Sequence, residues 1–344
     1  MKLLKILGGL VVVVVVVAGG GFLMMQNAIK QFDRPALVDC ADSTQAACDA
    51  VFTSASGSLD YRLVKPENGA SPQAMLVVLH GAGLTAAGQY WLSNGNLQAL
   101  ATREEILVLL ADAGGEIQVW KDGENLHHPV AQKLPDQLPV LLDLIESLAA
   151  DYGFDRRDVS LVGYSNGGTM SMRIACEAEI PFRSVGSFGS PVSKYQIEKG
   201  CAHATPAMIN HGTKDITNRF EGGYSRFLWM ETREYEGHPI DPQISSPRTI
   251  EFWRDVNGCS TVSDTSTLPD SDPKDGTLTQ IVTYNDCSSG APVAHAIVEN
   301  GGHSVPGDRT LPLVLRVMTG GKHANDYSGY DVFWTFSKEF YDKN

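Results

Sequence analysis

The sequence predicts an α/β fold with a mostly parallel central sheet and helices on both of its faces. Short apolar runs recur along the chain, and each has the length of a strand that is buried on both faces. Segments with one apolar face, which is typical of amphipathic helices, lie between these runs. Buried strands that alternate with helices in this way form parallel sheets covered by helices.

The first residues have the layout of an export signal. Two lysines form a short basic region before residues 6–25, which are apolar and include seven consecutive valines. A secretory signal peptide has this layout, and Ala18 and Gly20 supply small residues at a cleavage spacing. The run also approaches the length that spans a bilayer. We therefore expect residues 1–25 to be a signal peptide, with an uncleaved membrane anchor as the alternative, and the remaining chain to be secreted or periplasmic.

Residues 26–56 are polar and are expected to form a leader or linker ahead of one large domain over residues 57–344. The strand candidates of this domain are short and rich in Val, Ile and Leu. They cover residues 59–64, 75–79, 106–112, 159–164, 184–188, 206–212 and 295–300.

The clearest helix candidate is residues 135–153, in which leucine and isoleucine recur on one face. Prolines lie near its start, where proline is tolerated, and Gly153 lies past its end. The other helix candidates are residues 169–177, 248–256 and 331–341. Two polar stretches, residues 231–248 and 260–279, are expected to be surface loops, and the second has room for a hairpin.

The net charge of −13 limits the partners of the chain. Binding to nucleic acid depends on positive charge, so a nucleic-acid partner is not expected. Contact with a membrane is expected only if the apolar leader stays attached.

The six cysteines suit a protein outside the cytosol, where disulfides persist. Fifteen pairings are possible, and the sequence alone does not choose among them. Our expectation is pairing of nearest neighbours. The pairs would be Cys40–Cys48, Cys176–Cys201 and Cys259–Cys287. Zinc is the weaker alternative, because the sequence has neither a C-x-x-C nor an H-E-x-x-H pattern, and no metal is expected.

The stretch LVGYSNGGTM, residues 161–170, places Ser165 between Gly163 and Gly167 at the end of a predicted strand. Glycines two residues before and after a serine permit a sharp strand-to-helix turn, where any Cβ would collide. Such a turn exposes the serine hydroxyl, and the helix amides beside it favour an oxyanion. The alternative is an ordinary tight turn, since a glycine-rich chain can contain this pattern by chance. The strand before and the helix after favour a nucleophile.

A serine nucleophile needs a base and an orienting acid, and in this class of fold they follow it in the order Asp, His. Asp215 and His303 each come after a predicted strand, His303 on a glycine-rich loop. The carboxyl ends of parallel strands meet at one edge of a sheet, so we expect both side chains to reach Ser165. Competing acids are Asp241 and Asp255. His211 and His295 lie in or beside predicted strands and are expected to be core residues.

An oxyanion hole needs two backbone amides, one from the residue after the nucleophile and one from the loop after an early strand. The first would be Asn166. The run VVLHGAGLT supplies the second loop, and its glycines let the backbone approach a substrate. Ala82 is the expected donor there, with Gly83 as the alternative. His80 precedes the nucleophile in the chain and is expected to brace this loop.

Four aromatic residues near predicted strand ends or loops are candidates for substrate contact. They are Tyr164, Trp91, Trp120 and Trp229. Aromatic side chains more often belong to the core, so each has a structural alternative. Tyr164 is the strongest candidate because it directly precedes Ser165.

Five runs, LHGAG, VGYSNGGTMSMRIACE, HGTKD…EGG, FWRDVNGCS and GGHSVPG, occur in this order over about residues 57–343. In them the chain resembles the secreted polyhydroxybutyrate depolymerase-like esterases, an α/β-hydrolase group that also contains feruloyl esterases. The resemblance implies a single α/β-hydrolase catalytic domain over residues 57–344 and no cofactor. It implies Ser165 as the nucleophile with Asp215 and His303 as its partners. It also favours disulfides between Cys176 and Cys201 and between Cys259 and Cys287.

The expected function is therefore hydrolysis of carboxylic esters by an exported serine esterase that forms an acyl-enzyme. Hydroxyalkanoate or other polyester oligomers are the first expected substrates, and feruloyl or acetyl esters of plant polysaccharide are the second. A peptidase on the same fold is a further alternative. An alternative of a different class is a non-catalytic binding protein on a hydrolase fold, tethered to a membrane by its leader.

Overall fold

The computed structural model describes residues 39–41, 45–115, 118–227, 230–310 and 320–339. The predicted leader, residues 1–25, and Trp229 lie outside the described residues. Within these ranges, no helix is both long enough and apolar enough to cross a bilayer.

A ten-stranded sheet forms the centre of the described part of the chain. Its middle strands are parallel to one another: β3 (Met75–Leu79), β4 (Leu107–Ala111), β5 (Val159–Tyr164), β6 (Ser184–Phe188), β7 (Ala207–Gly212) and β14 (Val293–Glu299). Antiparallel strands extend both edges: β1 (Ala47–Ser54), β2 (Gly57–Val64), β12 (Asp264–Thr267) and β13 (Leu278–Tyr284). The order across the sheet is β1-β2-β4-β3-β5-β6-β7-β14-β13-β12.

Helices cover both faces of this sheet, as the sequence predicts. They are α1 (Ala86–Leu92), α2 (Asn96–Glu104), α3 (Pro129–Lys133), α4 (Leu138–Tyr152), α5 (Asn166–Glu177), α6 (Lys194–Lys199), α7 (Ser246–Asn257) and α8 (Gly329–Lys338). Met75, Val77 and Leu79 of β3 pack in one core with α4, α5 and α7. Leu76 and Val78 point the other way and pack in a second core with α2 and α8. This alternation explains the continuous apolar run of β3, because both of its faces are buried.

Residues 47–54, whose polar composition placed them in the leader, form β1 instead. This strand pairs antiparallel with β2 over its full length, from Ala47 opposite Val64 to Ser54 opposite Gly57. As an edge strand, β1 has partly exposed residues on both faces, and only Cys48 is fully buried. The strand therefore lacks the apolar signal by which the buried strands were found.

Four helices, α1, α2, α3 and α6, and the short strands between residues 226 and 239 lie where no element was predicted. α1 and α2 are short, and the side chain of Thr85 caps α1 by accepting from the amide of Gly88. The polar stretch 260–279 contributes β12, which pairs with β13 as a hairpin on the sheet edge. The stretch 231–248 contains a hairpin of β10 (Glu234–Tyr235) and β11 (His238–Pro239), and just before it β8 (Arg226–Phe227) pairs with β9 (Met230–Glu231).

Three disulfides join the neighbouring cysteines as expected. They are Cys40–Cys48, Cys176–Cys201 and Cys259–Cys287. The second ties the end of α5 to the loop after α6, and the third ties the segment just after α7 to the turn between β13 and β14. The described residues contain no free cysteine.

Replacing both cysteines of the Cys176–Cys201 bond by alanine should lower the free energy of unfolding more than the same change at Cys40–Cys48. The two bonds span 25 and 8 residues of sequence. Because a longer closed loop restricts the unfolded chain more, we expect losses of about 3.5 and about 2.5 kcal/mol. Urea denaturation of the two variants and the wild type measures both values. An equal loss, or a larger one at Cys40–Cys48, would contradict the loop-entropy account.

Candidate active site

Ser165 lies at a sharp turn between β5 and α5. Its backbone has φ +54° and ψ −127°, a positive-φ conformation that is strained for a residue with a Cβ. A Cβ at Gly163 would overlap the backbone of Gly167. A Cβ at Gly167 would in turn meet the carbonyl groups of Leu79 and His80 at the end of β3. The turn therefore needs glycine at both positions, which is the steric reason for the G-x-S-x-G spacing.

Asp215 and His303 form a hydrogen-bonded chain with Ser165. His303 Nε2 lies 2.9 Å from Ser165 Oγ, and His303 Nδ1 lies 2.6 Å from Asp215 Oδ2. The three residues follow β5, β7 and β14, whose carboxyl ends lie at the same edge of the sheet. The arrangement has the geometry of a nucleophile, a base and an orienting acid.

The carboxylate of Asp215 is fully buried and is held in its ionised form. Its Oδ1 accepts two backbone N–H groups from the following loop at 2.8 and 2.9 Å. Burial alone would raise the pKa of Asp215, but the charge of His303 and hydrogen bonds from His211 and His303 outweigh burial and lower this pKa. An ionised Asp215 favours the tautomer of His303 that is protonated on Nδ1. Nε2 is then free to accept the proton of Ser165.

The competing acids and His295 lie outside this chain of hydrogen bonds, and His211 contacts it through Asp215. Asp241 lies 3.3 Å from His127, and the side chain of Asp255 is 78% exposed on α7. His211 and His295 are buried, as predicted for core residues. His211 Nε2 lies 2.7 Å from the backbone carbonyl of Asn218 and 3.5 Å from Oδ2 of Asp215, so this ring contacts the carboxylate that orients His303.

His80 braces the loop after β3, as predicted. It is fully buried, and its Nδ1 lies 2.8 Å from the carbonyl oxygen of Gly81. The backbone amide of Ala113 donates to Nε2 at 3.1 Å, which assigns the imidazole proton to Nδ1. Burial lowers the pKa of His80 to about 4, so the ring is neutral at physiological pH.

Backbone hydrogen bonds favour Ala82 over Gly83 as the oxyanion donor. The amide of Gly83 donates to the carbonyl of Gln118 at 3.0 Å and is therefore already engaged. Ala82 lies exposed beside it, so we retain Ala82 as the predicted donor. Asn166 is the first residue of α5, where backbone N–H groups have no partner within the helix.

The side chain of Asn166 is fully engaged with Trp120 and with Asp122, a residue that the sequence analysis does not single out. Its Oδ1 accepts from the amide of Trp120 at 2.8 Å, and its Nδ2 donates to the carbonyl of Trp120 at 3.0 Å. Nδ2 also donates to Oδ2 of the buried Asp122 at 2.6 Å. No local motif marks Asp122, because its partner lies 44 positions further along the chain.

The aromatic candidates have different surroundings. Tyr164 donates its hydroxyl to the carbonyl of His303 at 3.0 Å and so holds the histidine loop. Trp120 is fully buried, so its predicted contact with substrate is wrong for this structure. Trp91 lies on α1 with the guanidinium of Arg309 5.0 Å from its ring centroid. Trp229 lies outside the described residues.

No family model matches the chain. A curated protein named "Putative esterase NocK", from Nocardia uniformis subsp. tsuyamanensis, is 26% identical over 286 residues, which cover 81% of this chain and 79% of that protein. Among solved structures, an acetyl xylan esterase from Aspergillus awamori has a TM-score of 0.52 and 13% identity over 76% of this chain and 95% of its own. Esterase PE8 has a TM-score of 0.48 and 16% identity over 81% and 97% of the two chains. The strand order and the likeness to the acetyl xylan esterase show that the chain has the α/β-hydrolase fold, as predicted.

Replacing Gly163 by alanine should destabilise the protein far more than the same change at Gly69. The new methyl group at Gly163 would overlap backbone atoms of Gly167, whereas at Gly69 it would meet open space at φ +74°. We expect a loss of more than about 3 kcal/mol at Gly163 and about 1 kcal/mol of left-handed strain at Gly69. Chemical denaturation measures both losses. Similar values would show that the turn at Ser165 can relax around a side chain.

The wild type should lose more stability in acid than a His80→Gln variant, which keeps an acceptor for the amide of Ala113. The unfolded chain protonates this histidine below about pH 6.5, whereas the folded protein resists protonation down to about pH 4. As the pH is lowered from about 6.5 to about 4, His80 alone therefore lowers the free energy of unfolding by about 3 kcal/mol. Urea denaturation of both proteins at each end of the interval tests this. Parallel losses would show that His80 does not contribute.

Proposed function

We propose that the protein is a serine esterase that hydrolyses carboxylic esters. The observation that carries the proposal is the hydrogen-bonded chain from Ser165 through His303 to Asp215. The relative described as an esterase, which matches most of both chains, supports the reaction class. The strained turn at Ser165 adds support, because such turns present a nucleophile to substrate.

The first half of the reaction forms an acyl-enzyme. Ser165 Oγ attacks the ester carbonyl carbon while His303 Nε2 accepts the serine proton. Asp215 stabilises the imidazolium that results. The substrate carbonyl oxygen becomes an oxyanion and accepts hydrogen bonds from the amides of Ala82 and Asn166. Each such donor lowers the barrier by about 3 kcal/mol.

The second half of the reaction restores the enzyme. The tetrahedral intermediate collapses, the bond from carbon to the alcohol oxygen breaks, and His303 returns the proton to the departing alcohol. Water then attacks the acyl-enzyme with His303 as the base. The second collapse releases the carboxylic acid and returns the proton to Ser165.

Within the esters, we propose hydroxyalkanoate or polyester oligomers as the first substrate class, on the resemblance of the sequence runs described above. Acetyl or feruloyl esters of polysaccharide are the second class. The three disulfides of the described residues suit an oxidising compartment, so we propose that the enzyme acts outside the cytosol, as a secreted or periplasmic protein.

The wild type and a Ser165→Ala variant should differ by about 10⁴-fold or more in the turnover of esters, because the variant lacks the nucleophile. The panel contains p-nitrophenyl esters of rising chain length, 3-hydroxybutyrate oligomers, acetylated xylan, methyl ferulate and a peptide anilide. Ser225→Ala is the matched control, since Ser225 also follows a Gly-Tyr pair but lies in the loop before β8. Its activity should equal that of the wild type.

The fastest substrate of this panel selects the acyl class. If the anilide is cleaved and the esters are not, the protein is a peptidase. If the wild type cleaves nothing, or if Ser165→Ala keeps its activity, the esterase proposal is wrong. A wild type that cleaves nothing makes the non-catalytic binding protein the better explanation of the fold, whereas activity kept in Ser165→Ala means that another group is the nucleophile.

A further inference from the structure

The loop formed by residues 118–122, here called the bridging loop, contacts the β3 loop that carries Ala82. The indole Nε1 of Trp120 donates to the carbonyl oxygen of His80 at 2.9 Å. The carbonyl of Gln118 accepts the amide of Gly83 at 3.0 Å. The bridging loop therefore binds the β3 loop on both sides of Ala82.

The same loop also binds the turn that carries Ser165. The backbone N–H and C=O of Trp120 form hydrogen bonds with the side chain of Asn166, at 2.8 and 3.0 Å. Oδ2 of Asp122 accepts a third hydrogen bond from this side chain at 2.6 Å. A side-chain amide with hydrogen bonds in three directions has one orientation only, so the start of α5 is held to the bridging loop.

Trp120 is the residue that these two sets of contacts share. We propose that Trp120 is a positioning residue that sets the spacing between the two halves of the oxyanion hole, with its indole holding the β3 loop and its backbone holding Asn166. The proposal rests on the proposed function, because it assigns the amides of Ala82 and Asn166 to an oxyanion.

Hydrogen bonds from other buried side chains hold the bridging loop in place, so it can act as a fixed support. The buried side chain of Gln137 donates to the carbonyls of Ala113 and Val119, at 3.0 and 3.2 Å, and accepts from the amide of Lys121 at 3.0 Å. The guanidinium of Arg173 donates to the carbonyl of Lys121. Two bonds of 2.8 Å join the same guanidinium to the carboxylate of Asp136.

The two halves of the hole are in such close contact that a small displacement would matter. A Cβ at Gly81 would lie 2.9 Å from the ring of Tyr164 and 3.3 Å from Cβ of Ser165. Oxyanion donors act over a window of only about 2.7–3.1 Å from the developing charge. Loss of the indole hydrogen bond would leave the His80 carbonyl buried without that donor and free the β3 loop to shift.

The effect should fall on kcat, because the oxyanion exists in the transition state and not in the bound ester. We expect Trp120→Phe, which removes the indole N–H and keeps an aromatic ring, to lower kcat by about 10- to 100-fold with KM within about twofold of the wild type. Affinity for a boronic acid, which forms a tetrahedral adduct at Ser165, should fall by the same factor as kcat.

The matched control is Trp253→Phe. Trp253 is also fully buried, and its indole N–H donates to Sδ of Met172 at 3.4 Å, within the core beside α5. This variant loses a tryptophan, a buried N–H and similar volume, but contacts neither half of the oxyanion hole. Its kcat and its affinity for the boronic acid should match the wild type.

Asn166→Ala provides a second test that does not depend on a core substitution. It keeps the backbone amide of residue 166 and removes its attachment to Trp120, so kcat should fall while KM stays constant. If both changes loosen one brace, the double variant should lose less than the product of the two single losses. Should Trp120→Phe fail to fold, Asn166→Ala decides the question alone.

The outcomes distinguish this inference from the proposed function. If the wild type is active and either Trp120→Phe or Asn166→Ala has the same kcat as Trp253→Phe, the positioning role is wrong. The esterase proposal then stands. A rise in KM with constant kcat also overturns it, because that result indicates uniform binding. A wild type that is no more active than Ser165→Ala overturns both.

Discussion

The tight crossing of backbone at Ser165 is the constraint on which the rest of the site depends. β5, the start of α5 and the end of β3 approach so closely that no side chain fits at Gly163 or Gly167. The strained backbone of Ser165 is held in place from a neighbouring strand, since its amide donates to the carbonyl of Phe188 at 2.9 Å. β5 lies between β3 and β6 in the interior of the sheet, so the surrounding ladder hydrogen bonds support this strain.

Around this turn, burial gives neighbouring carboxyl groups opposite protonation tendencies. The pKa of Asp215 is lowered because histidines and backbone amides outweigh burial. Near Asn166, burial dominates instead and raises the pKa of Asp122 to about 6 and that of Glu124 to about 8. Asp122 accepts a hydrogen bond from the side chain of Asn166 and another from the amide of Glu124. Burial therefore favours the protonated form of a carboxyl group here unless histidines and backbone amides offset it, as they do at Asp215.

Whether a strand can be predicted from the sequence depends on its position in the sheet. Interior strands such as β3 and β6 have the predicted bounds, because burial on both faces favours a continuous run of apolar and small residues. The edge strand β1 lacks that pattern, because residues on both of its faces are partly exposed and several of them are small or polar. The residue type of Trp120 suggests substrate contact, but its buried indole N–H donates to the carbonyl oxygen of His80.

The sequence by itself determined the fold class, because its apolar runs alternate with amphipathic segments. It also determined the turn at Ser165 and the candidates Asp215 and His303, because each of these residues lies in a short run that follows a strand. Only the tertiary structure decided that these three side chains meet, and that Gly83 is engaged while Ala82 is exposed. It alone also joined Asn166 to Trp120 and Asp122, which lie 46 and 44 positions away. Hydrogen bonds between residues so distant in the chain leave no local periodicity or spacing, so they become visible only when the chain is folded.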